Sequence, residues 1–214
     1  MAESPASSSA APPTLGLSLG IVALAGAVDA VSFLQFQKLY VSFMSGNTTA
    51  LGVALVKGQP AEIWRLSLVL ALFVVGVVLG TWLHQAVARR PAAAVLAVVA
   101  GLLGLAYGYP PLAIASLALG MGMLNASVHQ LGGANVGLTY VTGALVKMGA
   151  GLADWLSGRS GPRDWRWQAL GWSCFVAGVL VGALGLQQLG LATLAGAGAW
   201  ALGLAAVAYR VPQA

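Results

Sequence analysis

Two ionisable side chains stand where a bilayer would surround them. Asp29 lies within GAVDAVSF and Lys147 within GALVKMGAG, both otherwise apolar. A charge at the centre of a membrane helix costs about 2.5–3.5 kcal/mol on insertion scales, so each calls for a partner or a function. Their opposite signs, on segments of opposite halves of the chain, point to a buried Asp29–Lys147 pair. In the competing arrangement Lys147 extends along its aliphatic stem to the interface and nearby hydroxyls satisfy Asp29. A pair could serve solute coupling, with Asp29 alternating between lysine and a proton, or could only fix helix register.

A third feature is a polar break, YVSFMSGNTTALG at 40–52, which gathers Ser42, Ser45, Gly46, Asn47, Thr48 and Thr49 between apolar runs. Ser45-Gly46-Asn47-Thr48 has the residue types that cap free N–H groups at a helix start. The partial positive charge of such an end suits an anionic group. Thr142 and Gly143 repeat the pattern in the second half, with Lys147 about one turn further on. Irregular backbone at membrane depth survives only where it is buried in protein or lines a water-filled cavity. The break therefore reads as the wall of a cavity, with a capped loop at the headgroups as the alternative. Asn125 occupies the place in the second half that Asp29 holds in the first.

Other polar residues carry less. His84 and His129 fall near segment ends, and Gln35, Gln37, Gln130 and Asn135 flank turns. No HExxH, GxSxG, Walker loop or Cys/His cluster is present, and neither histidine has an orienting acid for Ser45. No enzyme activity, metal or cofactor is expected. Cys174, the single cysteine, lies in an apolar segment and reads as core filling.

The elements that must position these residues are membrane helices. Apolar residues make up 59% of the 214, charged residues 7%, and the mean hydropathy is +0.86. A soluble domain carries about 25% charged residues, so this chain could not clothe a water-facing surface. The net charge of +5 comes from residues scattered among short gaps, which fits topology signals and anionic headgroups rather than nucleic acid. Eight apolar segments follow one another at 15–36, 41–57, 64–87, 92–109, 111–130, 138–156, 166–187 and 190–209. Residues 1–14, rich in Ser, Pro and Ala, read as a disordered tail rather than a signal peptide.

The segments repeat. FVVGVVLG at 73–80 matches FVAGVLVG at 175–182, MSGN at 44–47 aligns with VTGA at 141–144, and AVDAVSF at 27–33 with MLNASV at 123–128. Three ordered matches indicate a duplication, with repeats at 15–109 and 110–210. The glycine pairs Gly16/Gly20, Gly76/Gly80 and Gly178/Gly182 are spaced for close helix approach. The expected fold is an all-α polytopic bundle of six to eight transmembrane segments in two internal repeats. If segments 41–57 and 138–156 span, the halves are parallel; if they only dip in, the halves are inverted. The spanning count sets Lys57, Arg65, Arg159, Arg163, Arg166 and Arg210 against Lys38, Arg89 and Arg90. The dipping count sets Arg89, Arg90, Arg159, Arg163, Arg166 and Arg210 against Lys38, Lys57 and Arg65. Both counts place the two termini in the cytoplasm.

GAVDAVSFL followed by FMSGNTTALGVAL, and MGMLNASVHQLGG followed by YVTGALVKMGAGL, resemble the YoaK family of bacterial inner-membrane proteins, a domain of unknown function. That family has an aspartate in its first helix, then Met-Thr-Gly-Asn, and an asparagine and a Thr-Gly in its second half. Asp29, Met44, Gly46, Asn47, Asn125, Thr142 and Gly143 match, and Ser45 keeps the hydroxyl of the usual threonine. The resemblance implies a multi-pass protein of the bacterial inner membrane and supplies no substrate. The expected function is a small secondary transporter or permease, with Asp29, Ser45, Gly46, Asn47, Thr48, Asn125, Thr142, Gly143 and Lys147 around a site for a small solute or ion. The alternative is a membrane scaffold that binds lipid or a partner. Membrane lipids and a second copy of the chain are the other expected partners.

Overall fold

The computed structural model describes residues 12–131, 141–158 and 165–211. Among these residues eight α-helices form: α1 (Pro12–Gln35), α2 (Met44–Val56), α3 (Pro60–Ala86), α4 (Pro91–Gly108), α5 (Ala113–Leu131), α6 (Val141–Leu156), α7 (Trp165–Leu189) and α8 (Ala192–Arg210). A 3-10 turn, Pro110–Leu112, leads into α5. The protein is a polytopic helical bundle, as its composition demands. One boundary moves: α1 starts at Pro12, inside the segment read as a tail, because prolines fit a first helical turn. Residues 1–11, and the turn residue Asn135, lie outside the described residues.

Six helices are long and apolar enough to cross a membrane: α1, α3, α4, α5 with its 3-10 turn, α7 and α8. Among the described residues, six of the eight helices are therefore candidate spans. With 13 and 16 residues, α2 and α6 extend about 20 and 24 Å, short of the roughly 30 Å hydrocarbon core. Both stop at a glycine in the left-handed conformation, Gly58 (φ 62°) and Gly158 (φ 68°), which closes the last turn without a Cβ clash. Pro60 then opens α3.

Two helix crossings define the bundle, α1 on α7 and α3 on α5. They use the same device at matching positions. Gly178 and Gly182 of α7 press on the backbone of Ala23 and Ala27, and Gly76 and Gly80 of α3 press on Leu119 and Met123. The reverse contacts match as well: Gly26 of α1 meets Phe175 and Val179, and Gly122 of α5 meets Phe73 and Val77. A Cβ on Gly182 would lie 2.7 Å from Ala27 Cα, and one on Gly80 would lie 2.7 Å from Met123 Cα. Without a hydrophobic drive between helices in lipid, such backbone-to-backbone packing supplies much of the attraction. Not every glycine pair serves this end: Gly20 touches Leu204, whereas nothing approaches Gly16.

The third crossing, α4 on α8, is built from alanines, with Gly198 near the carbonyl of Ala100. The buried core runs through α1, α4, α5 and α8, while Val74, Val78, Leu180 and Leu184 leave the outer faces of α3 and α7 apolar and exposed. Trp64, Trp82 and Trp155 are exposed near helix ends, as an interfacial belt requires.

Candidate functional site

The site begins where α1 ends. After Gln35 the chain turns through Gln37 (φ 53°) and Lys38 (φ 63°), both left-handed without being glycine. That conformation costs of order 1–3 kcal/mol per residue, so the surroundings must hold it. Arg65 of α3 does so, donating to Gln37 Oε1 (2.7 Å) while its other nitrogen pairs with Glu62 (2.6 Å). Leu39 to Phe43 then fold back along α1.

This returning segment exposes backbone donors where no water reaches, and Asp29 takes them. Asp29 stands six residues before Gln35, about 9 Å inside the end of α1. Its Oδ1 accepts the N–H groups of Val41 (2.8 Å) and Ser42 (2.9 Å), and its Oδ2 accepts the Ser42 hydroxyl. Asp29, Ser42 and Asn47 are all at least 96% buried. Asn47, one turn into α2, makes a reciprocal clasp with Tyr40: its Nδ2 donates to the Tyr40 carbonyl (2.6 Å), and the Tyr40 N–H donates to its Oδ1 (3.2 Å). An unmet backbone group in hydrocarbon costs several kcal/mol, which is why an acid and an amide occupy this apolar setting.

The expected helix start is corrected in detail. Helix α2 begins at Met44, its N-cap is Phe43, and no side chain caps it. Thr48 and Thr49 turn their hydroxyls back to the carbonyls of Met44 and Ser45 (2.8 and 3.1 Å), and Ser45 is exposed. Phe43 and Tyr40 cover Gly46, where a Cβ would lie 2.9 Å from the Phe43 ring.

The Asp29–Lys147 pair does not form. Asp29 spends its oxygens on the loop of its own half, and Lys147 projects from an exposed face of α6. Thr142 is exposed as well, and Gly143 is half-buried. Asn125 is half-buried and donates to the carbonyl of Met121 one turn back (2.8 Å). His84 sits in the last turn of α3. The side chains of His129 and Gln130 lie outside the described residues.

What the fold does assemble is a cavity of about 450 Å³ between α1, the returning segment, α7 and the start of α6. Asp29, Phe33, Tyr40, Phe43, Val141 and Phe175 are among its walls. Phe33 and Tyr40 stack obliquely (5.1 Å), and Tyr40 and Phe43 meet edge to face (5.5 Å). This volume lies within the ordinary range for small-molecule sites. A carboxylate has about four acceptor positions, and the loop uses three, so Asp29 retains capacity for one more donor. Among the described residues no group of three or more His, Cys, Asp or Glu side chains could hold a metal ion.

Sequence reasoning placed Ser42 in the polar break but not among the site residues, and it missed the roles of Arg65, Glu62 and the aromatic wall. Only Ser42 carried a signal, as the hydroxyl nearest the middle of the returning stretch.

Among the described residues, six helices long and apolar enough to span, with two shorter ones, define an integral, multi-pass α-helical membrane protein. The chain belongs to the family described as "Protein of unknown function (DUF1275)", whose model matches residues 17–207. The YoaK-like resemblance falls within that family. The chain is 40% identical over 203 residues to "UPF0700 transmembrane protein RA0705" of Rhizobium meliloti (strain 1021), covering 93% of this chain and 88% of the relative. No solved structure matches it.

Proposed function

We propose that the protein is a small permease, without enzyme activity, whose solute passes by way of the cavity beside Asp29. The observation that carries this reading is the cavity's wall. It joins the tip of the segment returning to α2 (Tyr40, Phe43) to the first residue of α6 (Val141), so the two non-spanning helices meet one space. Short helices that begin inside the membrane are how many transporters build solute sites near the midplane. The apolar, aromatic wall suits a solute with an apolar body, and Asp29 takes a proton or a cation.

In this reading the halves are inverted repeats. Three spans in each half reverse the orientation of the second, and the matched glycine contacts of the two principal crossings support a common origin. This reading takes the dipping charge count. Arg89, Arg90, Arg159, Arg163, Arg166 and Arg210 then share a face with both termini, which is the cytoplasmic face of a bacterial inner membrane by the positive-inside rule.

A second reading has its own support: Asp29 and Asn47 spend most of their hydrogen-bonding capacity on the loop, as structural locks in a scaffold would. A two-stage experiment separates the readings. Detergent-purified protein is melted against a panel of amines, amino acids, carboxylates and inorganic ions, and any stabilising compound is then tested for flux into proteoliposomes. A permease gives solute-dependent flux that Ala183→Trp, which fills the cavity from α7, abolishes without unfolding the protein. Absence of both stabilisation and flux across the panel favours the scaffold.

A further inference from the structure

At the opposite end of α1 from the Asp29 cavity, the α4–α8 crossing opens into a groove of about 940 Å³. Its mouth holds Arg90, Tyr209 and Arg210, and its floor is alanine, Ala93 and Ala97 from α4 and Ala205 from α8 among them. The Arg90 guanidinium lies over the Tyr209 ring, 3.5 Å from its centroid, which fixes the cation at the rim. Arg89, next in the chain, is exposed.

The electrostatics of this mouth are unbalanced. Among the described residues no acidic side chain lines the groove, and neither Arg90 nor Arg210 has an ion-pair partner there. Arg90 is also the N-cap of α4, where the helix adds its own partial positive charge. Like charges gathered in this way are stabilised by an anion. The alanine floor asks for something else: small side chains leave a trough between two spanning helices, within the hydrocarbon, that only an apolar chain fills well. A ligand that answers both demands has an anionic head and an acyl tail.

We infer that the α4–α8 groove is a binding site for an anionic phospholipid, its phosphate between Arg90 and Arg210 and one acyl chain along the alanine trough. Basic pockets between membrane helices take acidic headgroups in this way, and with six spans the positive-inside rule puts Arg90 and Arg210 at the anionic cytoplasmic leaflet. The site owes nothing to the permease reading; lipid bound there would clamp α4 to α8, the crossing with the fewest glycine contacts.

The test measures bound lipid and melting temperature together. Delipidated protein is titrated with phosphatidylglycerol, phosphatidylcholine or inorganic phosphate, and retained lipid is counted by native mass spectrometry. Phosphatidylglycerol should bind and raise the melting temperature, whereas phosphatidylcholine and phosphate should do neither. Changing both Arg90→Gln and Arg210→Gln, on exposed or half-buried side chains, should weaken phosphatidylglycerol about thirty-fold. Arg166→Gln, on the same face but outside the groove, should leave it unchanged. Equal binding of phosphatidylcholine, full stabilisation by phosphate alone, or an equal loss in Arg166→Gln would each overturn the site.

Discussion

Two crossings of the same kind join the halves of this protein, and the polar groups near them differ: Gly178 and Gly182 of α7 meet the backbone of α1, and Gly76 and Gly80 of α3 meet that of α5. In the first half the acid at the matching position reaches out, and Asp29 gathers the N–H groups of Val41 and Ser42 from the returning chain. In the second, Asn125 turns inward to the carbonyl of Met121 on its own helix. The two crossings share their glycine contacts, while the polar groups near them bond differently. A close crossing constrains both halves alike, whereas one clasped tip suffices to shape the cavity.

The comparison breaks most visibly at the paired polar positions. Asp29→Ala would leave two buried backbone donors and the Ser42 hydroxyl unmet. At about 1–3 kcal/mol for each of the three orphaned groups, it should cost roughly 3–9 kcal/mol. Asn125→Ala should cost about 1 kcal/mol or less, because the Met121 carbonyl keeps its helical bond. Chemical unfolding of the two variants in matched micelles reads the contrast, and equal losses would erase it.

The glycine crossings should behave in the opposite way, as equals. Gly80→Ala and Gly182→Ala each drive a Cβ into backbone, which cannot yield as a side chain tip does, so both should lose about 2–3 kcal/mol. A loss confined to one would mean that the crossings are not equivalent. The clasp itself is next. Asn47→Ala removes both bonds to Tyr40 and should cost about 2 kcal/mol, with faster hydrogen exchange at Tyr40 to Ser42 as its local mark.

The smallest effect has the reverse sign. Lys38→Gly relieves a left-handed residue outside the helices, and should raise stability by up to about 1 kcal/mol. A loss instead would show that the Lys38 side chain contributes more than its backbone strain costs.

Much of this was legible in the sequence, and the reasons differ by feature. Apolar runs located all eight helices, and the bilayer's single length scale set the six long ones apart from α2 and α6. Two of the three glycine pairs, Gly76/Gly80 and Gly178/Gly182, marked surfaces of close approach, though not which helices they meet. Asp29 and Asn47 were legible as misfits in hydrocarbon, and the alternative in which a nearby hydroxyl satisfies Asp29 holds for Ser42, but the backbone partners were not legible. Backbone N–H groups carry no letter, so Lys147 looked like the counter-charge when the returning chain was the true partner. Arg65 was hidden for a similar reason: its hold on Gln37 depends on a turn between two left-handed residues that composition does not mark.

The central claim is that α2 returns to the side it came from, drawn in and held at its tip by Asp29. Single cysteines at Lys38 and Lys57, in a Cys174→Ala background, can be labelled in intact cells with an impermeant maleimide, beside a reference cysteine at Arg89. The account predicts that positions 38 and 57 label from one side and position 89 from the other. Positions 38 and 57 labelling from opposite sides would make α2 a spanning helix and contradict it.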